Sequence, residues 1–191
     1  MEFGLIKGLT TAQAAALNTT QIDGLTSNQI TALANTQAAA LSTAGFAELT
    51  TTQLGGLTST QIAALGTANV AALSSTDIQA LTTTQLKGLT TAQAAGLSST
   101  QIDGLTTSQV QALGNTQLGA LSTASFTELT ASATQLGALT TTQIPGISTT
   151  QIGALTTTAI ASLTSTQADA FTTTQLNAMN AAQINEWFTV A

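Results

Sequence analysis

Leu81-Thr82-Thr83-Thr84-Gln85-Leu86-Lys87-Gly88 is one unit of a pattern that fills the chain. Leucine opens it, and leucine returns every eighth residue from Leu9 to Leu129. After one ten-residue unit, 129–138, the beat resumes at Leu139, Ile147, Leu155, Leu163, Phe171, Met179 and Trp187. A fixed short period marks a stacked repeat architecture, in which a unit buries its apolar side chains only against its neighbours. We label the octad a to h from the beat residue. Position e is usually Gln, f is aliphatic or Phe, and h is usually Ala or Gly. Positions b, c and d are mostly Thr, Ser, Ala or Asn.

One straight helix cannot carry this text. At about 100° per residue, eight residues advance about 800°, roughly 80° beyond two whole turns, so the leucines would spiral around the helix. A coiled coil needs a seven- or eleven-residue repeat. The chain must therefore bend once per octad. Thr at b followed by Gln at e is the S/T-x-x-E/Q capping box, and Leu at a with the apolar residue at f forms a hydrophobic staple across it. Leu25-Thr26-Ser27-Asn28-Gln29-Ile30 carries both devices, as does Leu81 to Leu86. Thr26, Gln29, Thr82 and Gln85 are thus the capping residues, and Leu25, Ile30, Leu81 and Leu86 the core staples. Asp23-Gly24, Gly55-Gly56, Lys87-Gly88 and Pro145-Gly146 fall at g and h and read as helix stops. The expected fold is all-α: a tight solenoid in which each octad is one short capped helical turn. Such a helix is too short to persist alone, so stacking must supply its stability.

A β-solenoid stays open as the alternative. Position c is more strictly Thr, Ser or Asn than b, which admits Ala34, Gly66 and Gly114. Thr and Ile favour strands, and Ile144-Pro145-Gly146-Ile147 fits a type II turn. Against it stand the runs Gln13-Ala14-Ala15-Ala16 and Gln37-Ala38-Ala39-Ala40, which are strong helix text. Positions a and f also have opposite parity, so one flat strand could not bury both.

Three segments follow: a degenerate N-terminal repeat or cap at 1–8, the octad array at 9–186, and a C-terminal cap or assembly end at 187–191. Phe3, Trp187 and Phe188 are the candidate cap or assembly residues. The two extra residues of Thr130-Ala131-Ser132-Ala133-Thr134-Gln135 suggest a bulged loop. A second period overlies the first: from Lys7 to Leu49 and from Lys87 to Leu129, 31 of 43 positions agree. The rare residues agree too, pairing Asp23 with Asp103, Phe46 with Phe126 and Glu48 with Glu128. Duplication of a ten-octad block is one account of this; the other is that ten octads close a superhelical turn and place like residues on one rail.

Composition removes several function classes. The 191 residues include 2 basic and 8 acidic side chains, for a net charge of −6, and no His or Cys. Two lysines make no basic patch, so nucleic-acid binding is not expected. Without Cys there are no disulfides or thiolate metal sites. Acid–base catalysis needs carboxylates or His converging on one place, whereas the aspartates are scattered, so no enzyme, metal or cofactor is expected. No apolar run reaches the ~18 residues of a membrane span, and Met1-Glu2-Phe3-Gly4-Leu5-Ile6-Lys7 lacks a signal-peptide layout.

From Leu9 to Trp187 the text resembles bacterial low-complexity octapeptide arrays of the Leu-Thr-x-x-Gln-Ile-Ala-Ala type, which recur in long secreted or surface-attached, adhesin-like proteins. Some related arrays place Pro at c and Glu at d, where this chain has Thr11, Thr83 and Thr141 at c. The resemblance implies adhesion or surface assembly at an extracellular or cell-surface location. The function expected is a structural one: a rod-like spacer, or a filament or surface-layer subunit that self-associates end to end or side by side. The alternative is a binding module, such as an ice-binding or glycan-binding protein, that uses ranks of Thr.

Overall fold

The computed structural model describes residues 6–191; Phe3 lies outside the described residues. Short helices follow one another along the whole described chain, one per octad, and no strand occurs among these residues. The β-solenoid is thereby excluded, and the fold is an all-α stack of repeats. Most helices have four to six residues, as in Thr83–Lys87 and Ser99–Asp103. Each begins at c and ends near h. The chain bends at a and b, where Leu81 (ψ 137°) and Thr82 (ψ 158°) are extended. One octad is therefore one turn of helix plus a two-residue hinge.

The chain divides into two compact units, Met1–Gly96 and Leu97–Ala191. In the first, each helix packs on the one three octads along: Thr11–Ala15 on Asn35–Ala40, and Asn35–Ala40 on Ser59–Ala64. The second follows the same rule, with Ser99–Asp103 on Thr123–Ala131 and Thr157–Ala161 on Ala181–Val190. Inside each unit the core has two rows. Position f is essentially sealed, as at Ile22, Leu54, Leu86, Ile102 and Leu118, and position a is nearly so, as at Leu25, Leu57, Leu81 and Leu121. Burying an aliphatic side chain is worth about 1.5–3 kcal/mol, so two such residues per octad offset the ordering of an otherwise unstable helix.

Glycine at g and h does not stop the helices through a left-handed cap. No described residue has a positive φ, and Gly88 sits at φ −74°, ψ −15°. Close approach explains several of these glycines instead. A Cβ at Gly56 would stand 2.3 Å from the Ser27 carbonyl oxygen, and one at Gly88 would stand 2.5 Å from that of Ser59. At these two octads position h passes against position c of a neighbouring coil, leaving no room for a Cβ. Pro145-Gly146 likewise forms no type II turn; Ile144–Gly146 is a 3-10 turn. Proline has no N–H to give to an α-helical bond, which tightens the turn.

The ten-residue unit is not a bulged loop either. The helix Thr123–Ala131 runs on through the beat residue, and Ala133–Ala138 follows after Ser132 alone. The Thr130 hydroxyl donates back to the Phe126 carbonyl at 3.1 Å rather than capping a new helix. The cap moves two residues on, to Ser132, which accepts from Gln135 N–H at 3.3 Å and keeps the S-x-x-Q spacing.

Candidate functional site: a buried glutamine ladder

The side chain that organises the stack is the Gln at e. At Thr82 and Gln85 the capping box is complete. Gln85 N–H donates to Thr82 Oγ1 at 3.2 Å, and Thr82 N–H donates to Gln85 Oε1 at 2.8 Å. The Thr82 hydroxyl donates to the same Oε1 at 3.0 Å. Thr26 and Gln29 are arranged alike, with Thr26 N–H on Gln29 Oε1 at 2.7 Å. Leu25, Ile30, Leu81 and Leu86 all lie in the core. Where b lacks a hydroxyl, half of the box survives: the N–H of Ala34 and of Gly114 still donates to Gln37 and Gln117.

Sequence reasoning gave this Gln only a capping role, yet it is buried, with 3% of Gln85 exposed. Its Oε1 faces its own helix, and its Nε2 points at the preceding coil. There it donates to two carbonyls, those of Leu54 (position f) at 2.7 Å and Leu57 (position a) at 2.8 Å. Gln53 does the same to Ile22 and Leu25, and Gln93 to Ile62 and Leu65. In the second unit Gln167, Gln175 and Gln183 repeat it. The steps are 28 and 31 residues, so one coil holds between three and four octads. Each carboxamide thus joins two helix ends to the coil before it. In a low-dielectric interior such fully paired groups stabilise, whereas an unpaired one is costly.

The ladder follows geometry rather than residue count. Gln135, Gln143 and Gln151 reach across the ten-residue unit, and their steps lengthen to 30 and 33 residues while the f and a targets stay the same. The adjustment leaves one mark: Gln135 Oε1 is buried without a hydrogen-bond partner. Shorter residues at e give a partial ladder. Asn69 reaches only the Leu41 carbonyl at 3.2 Å, and Ser125 only that of Leu97 at 2.7 Å. Asp77 keeps the box through Ser74 N–H at 2.9 Å. At Gly45 the space is filled by Ile22, whose Cδ1 would lie 2.2 Å from an added Cβ.

The outer surface is made by b, c and d. Thr82, Thr83 and Thr84 are all exposed, as are Thr106, Thr107 and Ser108. A recess beside the first helices is lined by Thr19, Thr20, Asp23 and Glu48. Among the described residues, no three His, Cys, Asp or Glu side chains converge as metal ligands, and no helix is long and apolar enough to cross a membrane. At the C-terminal end the helix Ala181–Val190 continues through the beat position. Trp187 is half-buried, and its indole N–H donates to the Ala168 carbonyl at 3.0 Å, an f-type acceptor. Its ring meets Phe188 edge-on at 5.2 Å, and Phe188 is 69% exposed.

Comparison with curated proteins and with solved structures returns no match. The ALTTAQ repeat family does match, over residues 2–35, 36–67, 70–107, 132–165 and 145–181. Those segments cover most of the chain and carry the Leu-Thr-Thr-x-Gln core that builds the capping box and the ladder. The chain belongs to the ALTTAQ repeat family.

Proposed function

We propose that this repeat protein is a structural component of a bacterial cell surface or adhesin, working as a spacer or as a self-assembling filament or surface-layer subunit, and not as an enzyme. The observation that carries the reading is the glutamine ladder. In each unit the carboxamides of one coil donate to the carbonyls of the coil before it, a pattern that suits a stacked structural element. The neutral hydroxyl surface supports it, since two lysines offer little to trypsin-like proteases. Electron microscopy and light scattering of the purified protein at rising concentration test assembly. Strictly dispersed monomers throughout would sink the filament form. Antibody labelling of intact cells tests the location, and signal appearing only after lysis would remove the surface assignment.

A second reading is favoured by one observation. The hydroxyls at b are engaged in capping, but those at c, such as Thr83, Thr91 and Thr107, are exposed. Ranks of such groups suit a surface that orders water. A thermal-hysteresis measurement decides it: no depression of ice growth at millimolar protein ends this reading.

A further inference from the structure

We propose that the two octads with Phe at f, 41–48 and 121–128, are register keys. Each fixes the octad on which its coil closes, a choice that the glutamine ladder leaves open.

The ladder is blind to shifts by a whole octad. A rung donates to main-chain carbonyls at f and a, and every octad offers that pair. The core rows are nearly as uniform, with Leu at most a positions and Ile, Leu, Val or Ala at most f positions. A coil with one octad more or fewer would keep its capping boxes, its rungs and its buried aliphatic rows. Cores of interchangeable aliphatics stabilise a fold before they make it unique. A single register therefore needs contacts that tell one octad from the next.

One such contact stands in each unit. Among the f residues only Phe46 and Phe126 are aromatic, and both are fully buried. Each follows an e residue that is not glutamine, Gly45 in one unit and Ser125 in the other. The helix Thr43–Ala47 packs on Thr19–Asp23, and there Ile22 Cδ1 occupies the space that a Cβ on Gly45 would take. The helix Thr123–Ala131 packs on Ser99–Asp103, whose Ile102 is fully buried. Ser125 Oγ donates to the Leu97 carbonyl at 2.7 Å, which is all that remains of a rung. A large f with a small e thus replaces the aliphatic f and long e of the ordinary octad, opposite an isoleucine three octads back. One octad more in the coil would set Gly45 against Ala14 and leave a void, which is destabilising. It would also bring Gln53 onto Ile22, and one octad fewer would bring Gln37 there. Either glutamine would force Ile22 out of the space it now fills.

The residues that recur 80 positions apart meet at these contacts. Asp23 and Glu48 line one recess, and Ile22 lies against Gly45, beside Phe46 in sequence. Ile102, Asp103, Phe126 and Glu128 hold the same octad positions in the second unit. The matched rare residues are therefore the two sides of one packing contact, present once in each unit.

The test turns both keys into ordinary octads with Gly45→Gln/Phe46→Ile/Ser125→Gln/Phe126→Ile. The chain has no Cys, so spin labels on Ala12→Cys and Thr52→Cys report register by pulsed electron paramagnetic resonance. Both positions are exposed, in octads to either side of the first contact. With the keys intact the expected result is one narrow distance distribution. Without them it is two or more distances, while the helical circular dichroism persists and the melting temperature is unchanged or higher. Stability is kept because glutamine at 45 and 125 adds rungs. Should the fourfold variant lose its helical signal, Phe46→Ile/Phe126→Ile leaves position e untouched and gives the same readout. A single unchanged distance, whatever the melting temperature, overturns the proposal and leaves Phe46 and Phe126 as core residues only. A spread of distances with the keys intact overturns it too.

Discussion

A single glutamine at e carries out two tasks: it completes a cap on its own helix, and it ties two carbonyls of the coil before it. Gln85→Ala removes both and leaves the Thr82 N–H and the Leu57 carbonyl without their partner. Each such group costs about 1–3 kcal/mol, so a loss of about 2–4 kcal/mol in urea unfolding is expected. Gln85→Glu makes the point through pH. Ionised, the side chain turns a charge toward the Leu54 and Leu57 carbonyls; protonated, it can donate to one of them. Burial and those carbonyls raise its pKa in the folded state above the ordinary glutamate value. Stability is therefore fully present below the unfolded value and is lost as pH rises through the raised one. The melting temperature of this variant, relative to wild type, should be higher at pH 4 than at pH 7. No relative change across that range would remove the ladder from this account.

Each helical turn is specified by local text and tolerated only in context. The staple, the box and the extended hinge at a and b are near-neighbour devices, which is why the helix positions were legible from Leu25 to Ile30 and from Leu81 to Leu86. Glycine at g and h does mark helix ends, as at Gly24, Gly55 and Gly88. The reason Gly56 and Gly88 must be glycine lies 29 positions away, which no local pattern reveals. Two substitutions separate these cases. Gly56→Ala forces a Cβ against the Ser27 backbone and should cost about 1–3 kcal/mol. Gly137→Ala, inside the helix Ala133–Ala138 with open space around it, should stabilise by about 0.5–1 kcal/mol. Thermal denaturation of the two variants checks the pair, and equal destabilisation would contradict the close-approach explanation.

In the whole molecule, a coil is counted in rungs. The ladder kept its targets across two added residues by lengthening its steps, at the cost of one unpaired Gln135 oxygen. An extra complete octad, Leu-Thr-Thr-Thr-Gln-Leu-Lys-Gly, inserted after Gly88 should therefore be accepted with the melting temperature within a few degrees. Deleting Thr84 alone moves Gln85 out of the box and turns the carboxamide off its carbonyls, and should lower stability sharply. In a stack where each coil contacts only its neighbours, such a break divides the array. A broadened or two-step melt is the expected readout for the deletion, and a single unchanged transition would refute it.

The octad text settled what is local: a bend every eight residues, a capped turn between bends, leucine and the f residue inside, and hydroxyls at the surface. These follow from backbone geometry and side-chain reach within six residues, so periodicity is enough to read them. Tertiary structure decided everything that depends on the next coil. It set between three and four octads per coil, turned Gln from a cap partner into a rung, gave Gly56 and Gly88 to close packing, and placed the Trp187 indole on the Ala168 carbonyl. The physical reason is distance along the chain. A carbonyl 28 or 31 residues upstream becomes a neighbour only after the coil has closed, and no spacing in the sequence states how soon it closes.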